Sequence, residues 1–209
     1  EKAKAEVVLN GTNMYKHYKE MQYNIGFVPQ MDLMRGSDSV FRTLMDAASL
    51  RLPKDFTGAE RKARVEDVMK IFGLTPVENH MVAKRLSIAM EFISNPSLFI
   101  LDEPDSGLDG VMARELFEQL RLIADQGKII IVITHTPDRV IDLFDDVIVL
   151  AKDAKSTGRL AYFGPIDEAR AFFGKESMEE IVKSVNRQEE GGEGRADEFI
   201  LKYAEVQHG

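Results

Sequence analysis

The stretch that most constrains the fold is residues 98–104, which read Leu-Phe-Ile-Leu-Asp-Glu-Pro. Its four consecutive apolar residues do not alternate with polar ones, and this pattern is typical of a strand that is buried on both faces of a parallel sheet. Two adjacent carboxylates, Asp102 and Glu103, follow that strand directly. Because open parallel sheets bind ligands beyond the carboxyl ends of their strands, the sequence predicts a polar site at this edge.

The other segments complete an α/β pattern. Apolar runs predict further strands at residues 6–10, 23–29, 129–134 and 147–150, and the last two are also expected to be buried on both faces. Apolar residues at helical spacing predict helices at residues 40–50, 59–72, 85–94, 111–126, 166–173, 178–185 and 196–204. Residues 188–194, rich in Glu and Gly, are typical of a loop or a disordered link. This order predicts a mainly parallel sheet flanked by helices, with a separate helical lobe formed by the helices between residues 37 and 95.

Composition and charge exclude several classes of protein. The chain has 209 residues, 44% of them hydrophobic, which suffices for one large domain with a core. A formal net charge of -8 argues against a protein that coats a nucleic-acid duplex. The absence of cysteine excludes disulfides and thiolate metal sites. No apolar run approaches the ~20 residues of a membrane-spanning helix, and no signal peptide is visible. Because the first residue is not Met, we expect the natural start to lie upstream.

The carboxylate pair fits a defined chemistry. An aspartate at such a strand end can hold a magnesium ion, directly or through water. The neighbouring glutamate is placed to accept a proton from an attacking water molecule. An isolated Asp-Glu-Pro sequence usually does no more than begin a loop. Here it follows four apolar residues and precedes Asp-Ser-Gly-Leu-Asp at residues 105–109, so a functional site is the better interpretation.

Residues 98–109 resemble the Walker B strand and D-loop of ABC ATPases, and three further elements occur in that family's order. Gln30 follows a predicted strand, as in the family's Q-loop. Residues 84–91 resemble the helix that follows its signature motif, and His135 follows a predicted strand, as in its H-loop. Further segments resemble the G-type, or pigment-transporter, members of the family, namely residues 50–53, 65–74, 77–80 and 160–165. Residues 190–203 more loosely resemble a bacterial version of them.

This resemblance implies a fold, a domain division and partners. The implied fold is P-loop NTPase-like, with an inserted helical lobe and a partly antiparallel N-terminal β region. The chain would be one ATPase domain without its P-loop part, divided into a catalytic core at 1–36 and 95–165, a helical lobe at 37–94 and a C-terminal helical extension at 166–209. The implied partners are a second nucleotide-binding domain, in a homodimer, and a transmembrane permease domain, with no nucleic acid. The domain would lie at the cytoplasmic face of the cell membrane.

The same resemblance implies ATP and Mg²⁺ as ligands, with ATP hydrolysed between two subunits. Glu103 would be the general base, and His135 would bind the γ-phosphate and stabilise charge in the transition state. Asp102 and Gln30 would contact the metal, and Gln30 the attacking water. Asp109, with Ser106 nearby, would contribute to nucleotide binding at the dimer seam. Residues 31–34 would receive a coupling helix from the permease, unless they only pack within the lobe.

Two motifs of the family are missing. A P-loop requires Gly-x-x-x-x-Gly-Lys followed by Ser or Thr, and neither Gly-Lys pair of this chain is followed by either residue. The signature motif is expected before Lys84, where residues 79–83 read Asn-His-Met-Val-Ala instead. We expect the intact protein to contain both motifs, with a separation above the normal ~3.8 Å between adjacent Cα atoms somewhere between Met81 and Arg85. A truncation and a naturally degenerate domain are the alternatives.

Two other classes of function stay open at this point. The first is a regulatory or interaction module that does not hydrolyse ATP, and the absence of a P-loop from this sequence favours it. A soluble ABC ATPase of translation or DNA repair is the second alternative, although such proteins usually carry tandem domains or long coiled coils. Binding of ATP in the presence of magnesium separates the first alternative from a transporter ATPase. The presence of apolar segments of ~20 residues elsewhere in the full protein separates the second.

Overall fold

The computed structural model describes residues 6–30, 38–74 and 83–208. Two compact units make up the chain, residues 1–134 and residues 135–209. Several predicted features lie outside the described residues, namely the coupling-helix contact at 31–34, the G-type segment at 77–80 and the chain break expected after Met81. The division of the chain into a catalytic core, a helical lobe and a C-terminal extension stays a prediction. Among the described residues, no helix has the length and apolar character needed to cross a membrane.

A three-stranded parallel sheet forms the centre of the first unit, as predicted. Its strands lie in the order β3 (Ile25–Val28), β4 (Leu98–Asp102) and β5 (Ile129–Ile133). The parallel direction requires long crossovers. Between β3 and β4 the described residues include three helices, and α5 (Gly110–Ala124) forms the crossover between β4 and β5. The N-terminal residues form the expected antiparallel region, as a short hairpin of β1 (Val8–Leu9) and β2 (Thr12–Asn13), followed by the single turn α1 (Tyr18–Met21).

The strand at the edge of this sheet is less buried than predicted. We expected residues 129–134 to be buried on both faces, but Ile129 and Ile133 are 51% and 50% exposed. Within the described part of the chain β5 pairs with β4 alone, so its ends receive less cover than the central strand. In β4, by contrast, Phe99 and Leu101 are fully buried. An apolar run therefore predicted the strand correctly and its burial incorrectly.

The helices predicted between residues 37 and 95 are present, and caps and an ion pair hold them. They are α2 (Val40–Arg51), α3 (Gly58–Ile71) and α4 (Ala83–Phe92), and their separation as a lobe stays a prediction. The start of α3 carries a capping box, in which Thr57 and Glu60 each bond the other's backbone amide, and this arrangement satisfies amides that lack helical partners. An ion pair between Arg51 and Glu91 joins α2 to α4. Burial raises the pKa of the Glu91 carboxyl, with Arg51 acting in the opposite direction.

The second unit contains an antiparallel sheet that we did not predict. Residues 147–150 were expected to continue the parallel sheet, but they belong to β6 (Asp146–Lys152), which pairs with β7 (Gly158–Pro165). A parallel arrangement would need a long crossover before β6, but that segment contains two short 3-10 turns. A tight turn, closed by a hydrogen bond of 2.9 Å from the amide of Asp153 to the carbonyl of Thr157, allows neighbouring strands to pair antiparallel.

Three helices pack on this hairpin, namely α6 (Ile166–Phe173), α7 (Met178–Val185) and α8 (Ala196–His208). The first two begin and end as predicted, and the third is longer than the predicted 196–204. Aromatic rings fill the core between them, with the centroids of Phe173 and Phe199 4.5 Å apart. The unit therefore has a hydrophobic core of its own.

Residues 188–194 form an ordered loop, so the alternative of a disordered link is wrong. The amides of Glu193 and Gly194 donate to the carbonyls of Lys183 and Asn186, at 2.9 Å and 2.8 Å. A Cβ on Gly192 would lie 2.2 Å from the carbonyl oxygen of Asn186. Composition alone indicated disorder, whereas close packing against the end of α7 fixes this backbone.

Candidate active site

The carboxyl ends of β3 and β4 bring two predicted site residues into contact. Val28 of β3 and Leu101 of β4 are partners in the parallel register, so Gln30 and Glu103, each two residues beyond that pair, leave the sheet at the same edge. The side-chain amide of Gln30 donates a hydrogen bond of 2.5 Å to the carboxylate of Glu103. These residues are 73 positions apart in the sequence. The structure thus brings two predicted site residues together, and their catalytic roles stay predictions.

Glu103 has a backbone conformation that is uncommon for a residue with a side chain. Its φ angle is 47°, in the left-handed region, where non-glycine residues cost about 1–3 kcal/mol and cluster at functional sites. Two backbone hydrogen bonds hold this conformation, from the amide of Glu103 to the carbonyl of Ile133 at 2.8 Å and from the amide of Ser106 to the carbonyl of Glu103 at 3.1 Å. The carboxylate is thus presented by a tight turn directly after the central strand.

Asp102 is the last residue of β4 and is partly buried. Its carboxylate lies one residue from Glu103 and supplies the hard oxygen that Mg²⁺ prefers. No group of three or more acidic or histidine side chains suited to a metal ion occurs in the described residues. Magnesium in nucleotide sites commonly takes one or two carboxylates and completes its shell with phosphate oxygens and water. The donor set at this edge therefore fits magnesium bound together with a nucleotide.

The D-loop residues are anchored by hydrogen bonds within the first unit. The hydroxyl of Thr134 lies 3.2 Å from the nearer carboxylate oxygen of Asp105, which links this loop to the end of β5. Asp109 caps α5, because its carboxylate accepts bonds from the amides of Val111 and Met112 at 3.0 Å and 2.9 Å. Ser106 is exposed. The nucleotide-binding roles predicted for Ser106 and Asp109 stay predictions.

His135 begins the second unit, directly after Thr134, and its side chain is exposed. Its role as the switch histidine stays a prediction. The turn that follows it is fixed within the second unit, since the carboxylate of Asp138 accepts hydrogen bonds from the amides of Met178 and Glu179 at 2.8 Å and 2.9 Å. No local pattern in the sequence indicates this contact.

We expect Asp138→Ala to lower the free energy of unfolding by about 1–2 kcal/mol, the usual cost of losing a side-chain cap at a helix start. The lost carboxylate would leave the first amides of α7 without their acceptor. Chemical denaturation of the full-length protein, followed by helical circular dichroism, measures the change. Asp167→Ala is the control, because that carboxylate is 94% exposed and pairs with Arg170 on its own helix, so its effect should stay below about 0.5 kcal/mol. Equal effects would contradict the capping role.

A second residue was missed, although its position carried a signal. Lys84 lies in the first turn of α4 and is only 5% exposed. It shares a face with Ile88 and Phe92, which follow at spacings of four residues. A lysine on the apolar stripe of a helix is a departure from the usual pattern, in which charged residues occupy the opposite face. Its ammonium group donates a hydrogen bond of 2.7 Å to the carbonyl oxygen of Gln30.

Solved structures support the fold. cbiO1 from Clostridium perfringens, described as part of the ABC transporter complex cbiONQ, aligns with a TM-score of 0.64 and 26% identity over 78% of this chain and 67% of that one. The ATP-binding cassette MJ0796, solved as a dimer with ADP and Pi, aligns with a TM-score of 0.58 and 19% identity over 68% and 67% of the two chains. These alignments confirm the predicted P-loop NTPase-like fold class.

Curated relatives identify the family, while no protein-family model matches the chain. The chain is 34% identical to the ABC transporter ATP-binding/permease protein Rv1747 of Mycobacterium tuberculosis, over 86% of its own length and 21% of the relative's. It is 35% identical to the bovine (Bos taurus) broad substrate specificity transporter ABCG2, over 81% and 27% of the two lengths, and 39% identical to ABC transporter G family member 22 of Arabidopsis thaliana, over 74% and 22%.

The chain thus spans about a fifth to a quarter of the length of these relatives. The relatives from animals and plants are G-family transporters, as the helical-lobe residues predicted. The alignments extend over 74% to 86% of the chain. This chain belongs to the ATP-binding domains of ABC transporters, in the group that includes the G family.

Proposed function

We propose that the full-length protein binds and hydrolyses ATP, with this chain supplying the general base and part of the metal site. The observation that carries the proposal is the hydrogen bond from Gln30 to the carboxylate of Glu103, beside Asp102, at the carboxyl edge of the parallel sheet. A carboxylate in this place can accept the proton of a water molecule that attacks a phosphoryl group. The strained backbone of Glu103 is consistent with a residue kept for chemistry.

Each residue of the edge then has a defined task. One carboxylate oxygen of Glu103 accepts the water proton, while the bond from Gln30 holds the other oxygen and limits rotation of the side chain. Asp102 and the side-chain oxygen of Gln30 would hold Mg²⁺. When bound, the ion neutralises charge on the phosphate oxygens. His135 would donate a hydrogen bond to the terminal phosphate, and Ser106 and Asp109 would lie near a nucleotide held mainly by a second subunit.

The proposal extends to a dimer and to transport. The MJ0796 cassette was solved as a dimer with hydrolysis products, and cbiO1 belongs to a transporter complex. Both facts describe those proteins, and they support a second nucleotide-binding domain and a transmembrane permease as partners of this chain. We place the domain at the cytoplasmic face of a membrane, where ATP is available. The transported substrate would be determined by the permease.

The test is binding and hydrolysis of ATP by the full-length protein, measured with and without magnesium. A transporter ATPase should bind ATP in a magnesium-dependent way and release phosphate over many turnovers. A regulatory module would show no magnesium-dependent binding, and this result would overturn the proposal. The full-length protein could instead bind and hydrolyse ATP but have neither apolar segments of ~20 residues nor an associated permease. That result would favour a soluble ABC ATPase and would overturn the transport role alone.

We expect Asp102→Asn to weaken magnesium-dependent ATP binding by about 10–100-fold, since even residues that only support metal ligands have effects of this size. The amide retains the shape of the carboxylate but loses the negative charge that attracts the cation. Titration of ATP at several magnesium concentrations, monitored by calorimetry, gives the change. Asp46→Asn is the matched control, because Asp46 is exposed on α2. Unchanged magnesium dependence in Asp102→Asn would remove Asp102 from the metal site.

A further inference from the structure

Lys84 is a buried cation that bonds to the backbone beyond the end of β3. Its ammonium group lies 2.7 Å from the carbonyl oxygen of Gln30 and 3.5 Å from that of Pro29. Lysine is seldom this buried unless its charge is compensated, because removing a charge from water is expensive. The cost of placing a lysine here indicates that its bonds to this segment have a purpose beyond filling space.

The backbone that receives these bonds is the part that leaves the sheet. β3 ends at Val28, and Pro29 has no amide hydrogen with which to continue a strand ladder. The carbonyl groups of Pro29 and Gln30, which lie beyond the end of β3, accept from Lys84 of α4, 55 and 54 residues further along the chain. The orientation of Gln30 thus depends on a side chain of α4 as well as on the sheet.

A continuous set of hydrogen bonds joins this lysine to the proposed general base. Lys84 bonds the main chain of Gln30, and the side chain of Gln30 bonds the carboxylate of Glu103. α4 is itself fixed to the helix after the D-loop, since Arg85 and Glu115 form an ion pair of 2.8 Å. A shift of the first turn of α4 would therefore move the support of Gln30 and, through it, the Glu103 side chain.

We propose that Lys84 is a positioning residue for ATP hydrolysis, which fixes the main chain of Gln30 so that the Gln30 amide holds Glu103 in its reactive orientation. This inference rests on the proposed function of Glu103. Lys84 touches neither the water nor the phosphate in this role. Because misplacement of a catalytic group by about 1 Å can cost 100-fold in rate, loss of the ammonium group acts on turnover more than on nucleotide binding.

The test compares Lys84→Met with Gln30→Ala and with the double variant, all in the full-length protein. Methionine keeps an unbranched chain of similar length in the buried site but has no donor. We expect Lys84→Met to lower kcat for ATP by about 10–100-fold, with KM for ATP changed less than about threefold. The double variant should be no slower than Gln30→Ala, because Lys84 acts through Gln30. Lys62→Met is the control, since Lys62 is 61% exposed on α3.

A purely structural lysine would give a different pattern. In that case the rate losses of Lys84→Met and Gln30→Ala would multiply in the double variant, and that result overturns the proposal, as does a wild-type kcat in Lys84→Met. If Lys84→Met does not fold, Lys84→Leu replaces it, because leucine is also apolar and has no hydrogen-bond donor, and the same kcat loss is expected. A wild-type kcat in that variant also overturns the proposal.

The proposal is separable from the function on which it rests. Suppose that the wild type hydrolyses ATP, that Glu103→Gln does not, and that Lys84→Met has the wild-type kcat. This result would refute the role of Lys84 and leave the proposed function intact. If the wild type binds ATP without hydrolysing it, the proposed function fails, and a crystal structure of Lys84→Met still decides the contact. We expect that structure to have lost the bond between Gln30 and Glu103, and an unchanged bond refutes the positioning role.

Discussion

Glu103→Gln in the full-length protein is expected to lower kcat for ATP hydrolysis by about 100- to 10,000-fold, the range that positioned general bases contribute. The amide cannot accept a proton from water at neutral pH. Its oxygen can still accept the hydrogen bond that Gln30 now gives to the carboxylate. Because glutamine has the same size and meets the same backbone strain at a φ angle of 47°, we expect folding and ATP binding to be retained.

Rapid mixing with labelled ATP measures this prediction, since bound ATP and released phosphate are counted separately in a single turnover. The variant should accumulate bound ATP, whereas the wild type should accumulate products. Glu118→Gln is the matched control, because Glu118 is about half exposed on α5 and pairs with Arg114 one turn away. Turnover at the wild-type rate in Glu103→Gln would show that another group accepts the proton.

Gly26→Ala should destabilise the first unit by about 2–3 kcal/mol, towards the upper end for overpacked cores. A Cβ at this position in β3 would lie 2.5 Å from a ring carbon of Phe99 and 3.1 Å from Pro96. The Phe99 ring cannot withdraw easily, because it packs on Phe92 with centroids 5.9 Å apart and Phe92 packs on Phe72 at 5.6 Å. The substitution must therefore separate β3 from β4 or disturb the whole aromatic stack.

Chemical denaturation of the full-length protein, followed through the helical signal, gives the loss in free energy. Gly58→Ala is the control, because a Cβ on Gly58 in the first turn of α3 meets no atom within 4 Å. Alanine there should leave stability unchanged or raise it by up to about 1 kcal/mol. A Gly26→Ala variant as stable as the wild type would mean that β3 and β4 lie further apart than in this structure.

Local patterns predicted most helices well. The helices at 166–173 and 178–185 begin and end where the sequence indicated, because their signals lie within a few residues. Ser177 caps α7 and forms a capping box with Glu180, and Gly174 ends α6 in the left-handed conformation, with a φ angle of 64° that glycine adopts without strain. Such signals depend on neighbouring residues and are readable without the rest of the fold.

Strand partners and burial were predicted less well. Residues 147–150 were recognised as a strand, but their partner in β7 was not. The ends of β5 were expected to be buried and are half exposed. Both errors have the same cause. An apolar run indicates that a segment forms a strand, but it does not indicate which strand or helix packs beside it. The order of the loop at 188–194 was missed because part of its backbone is held by residues that precede it, such as Lys183 and Asn186, and composition alone does not reveal such contacts.

The amino-acid sequence alone reveals the side chains available for chemistry: an apolar strand followed by Asp102 and Glu103, a glutamine after an earlier strand, and a histidine after a later one. Which of these side chains meet depends on the three-dimensional fold. Gln30 reaches Glu103 across 73 residues, and Lys84 supports Gln30 across 54. Such contacts depend on strand register and on where α4 lies against the sheet, and these long-range distances are not contained in any local stretch of sequence.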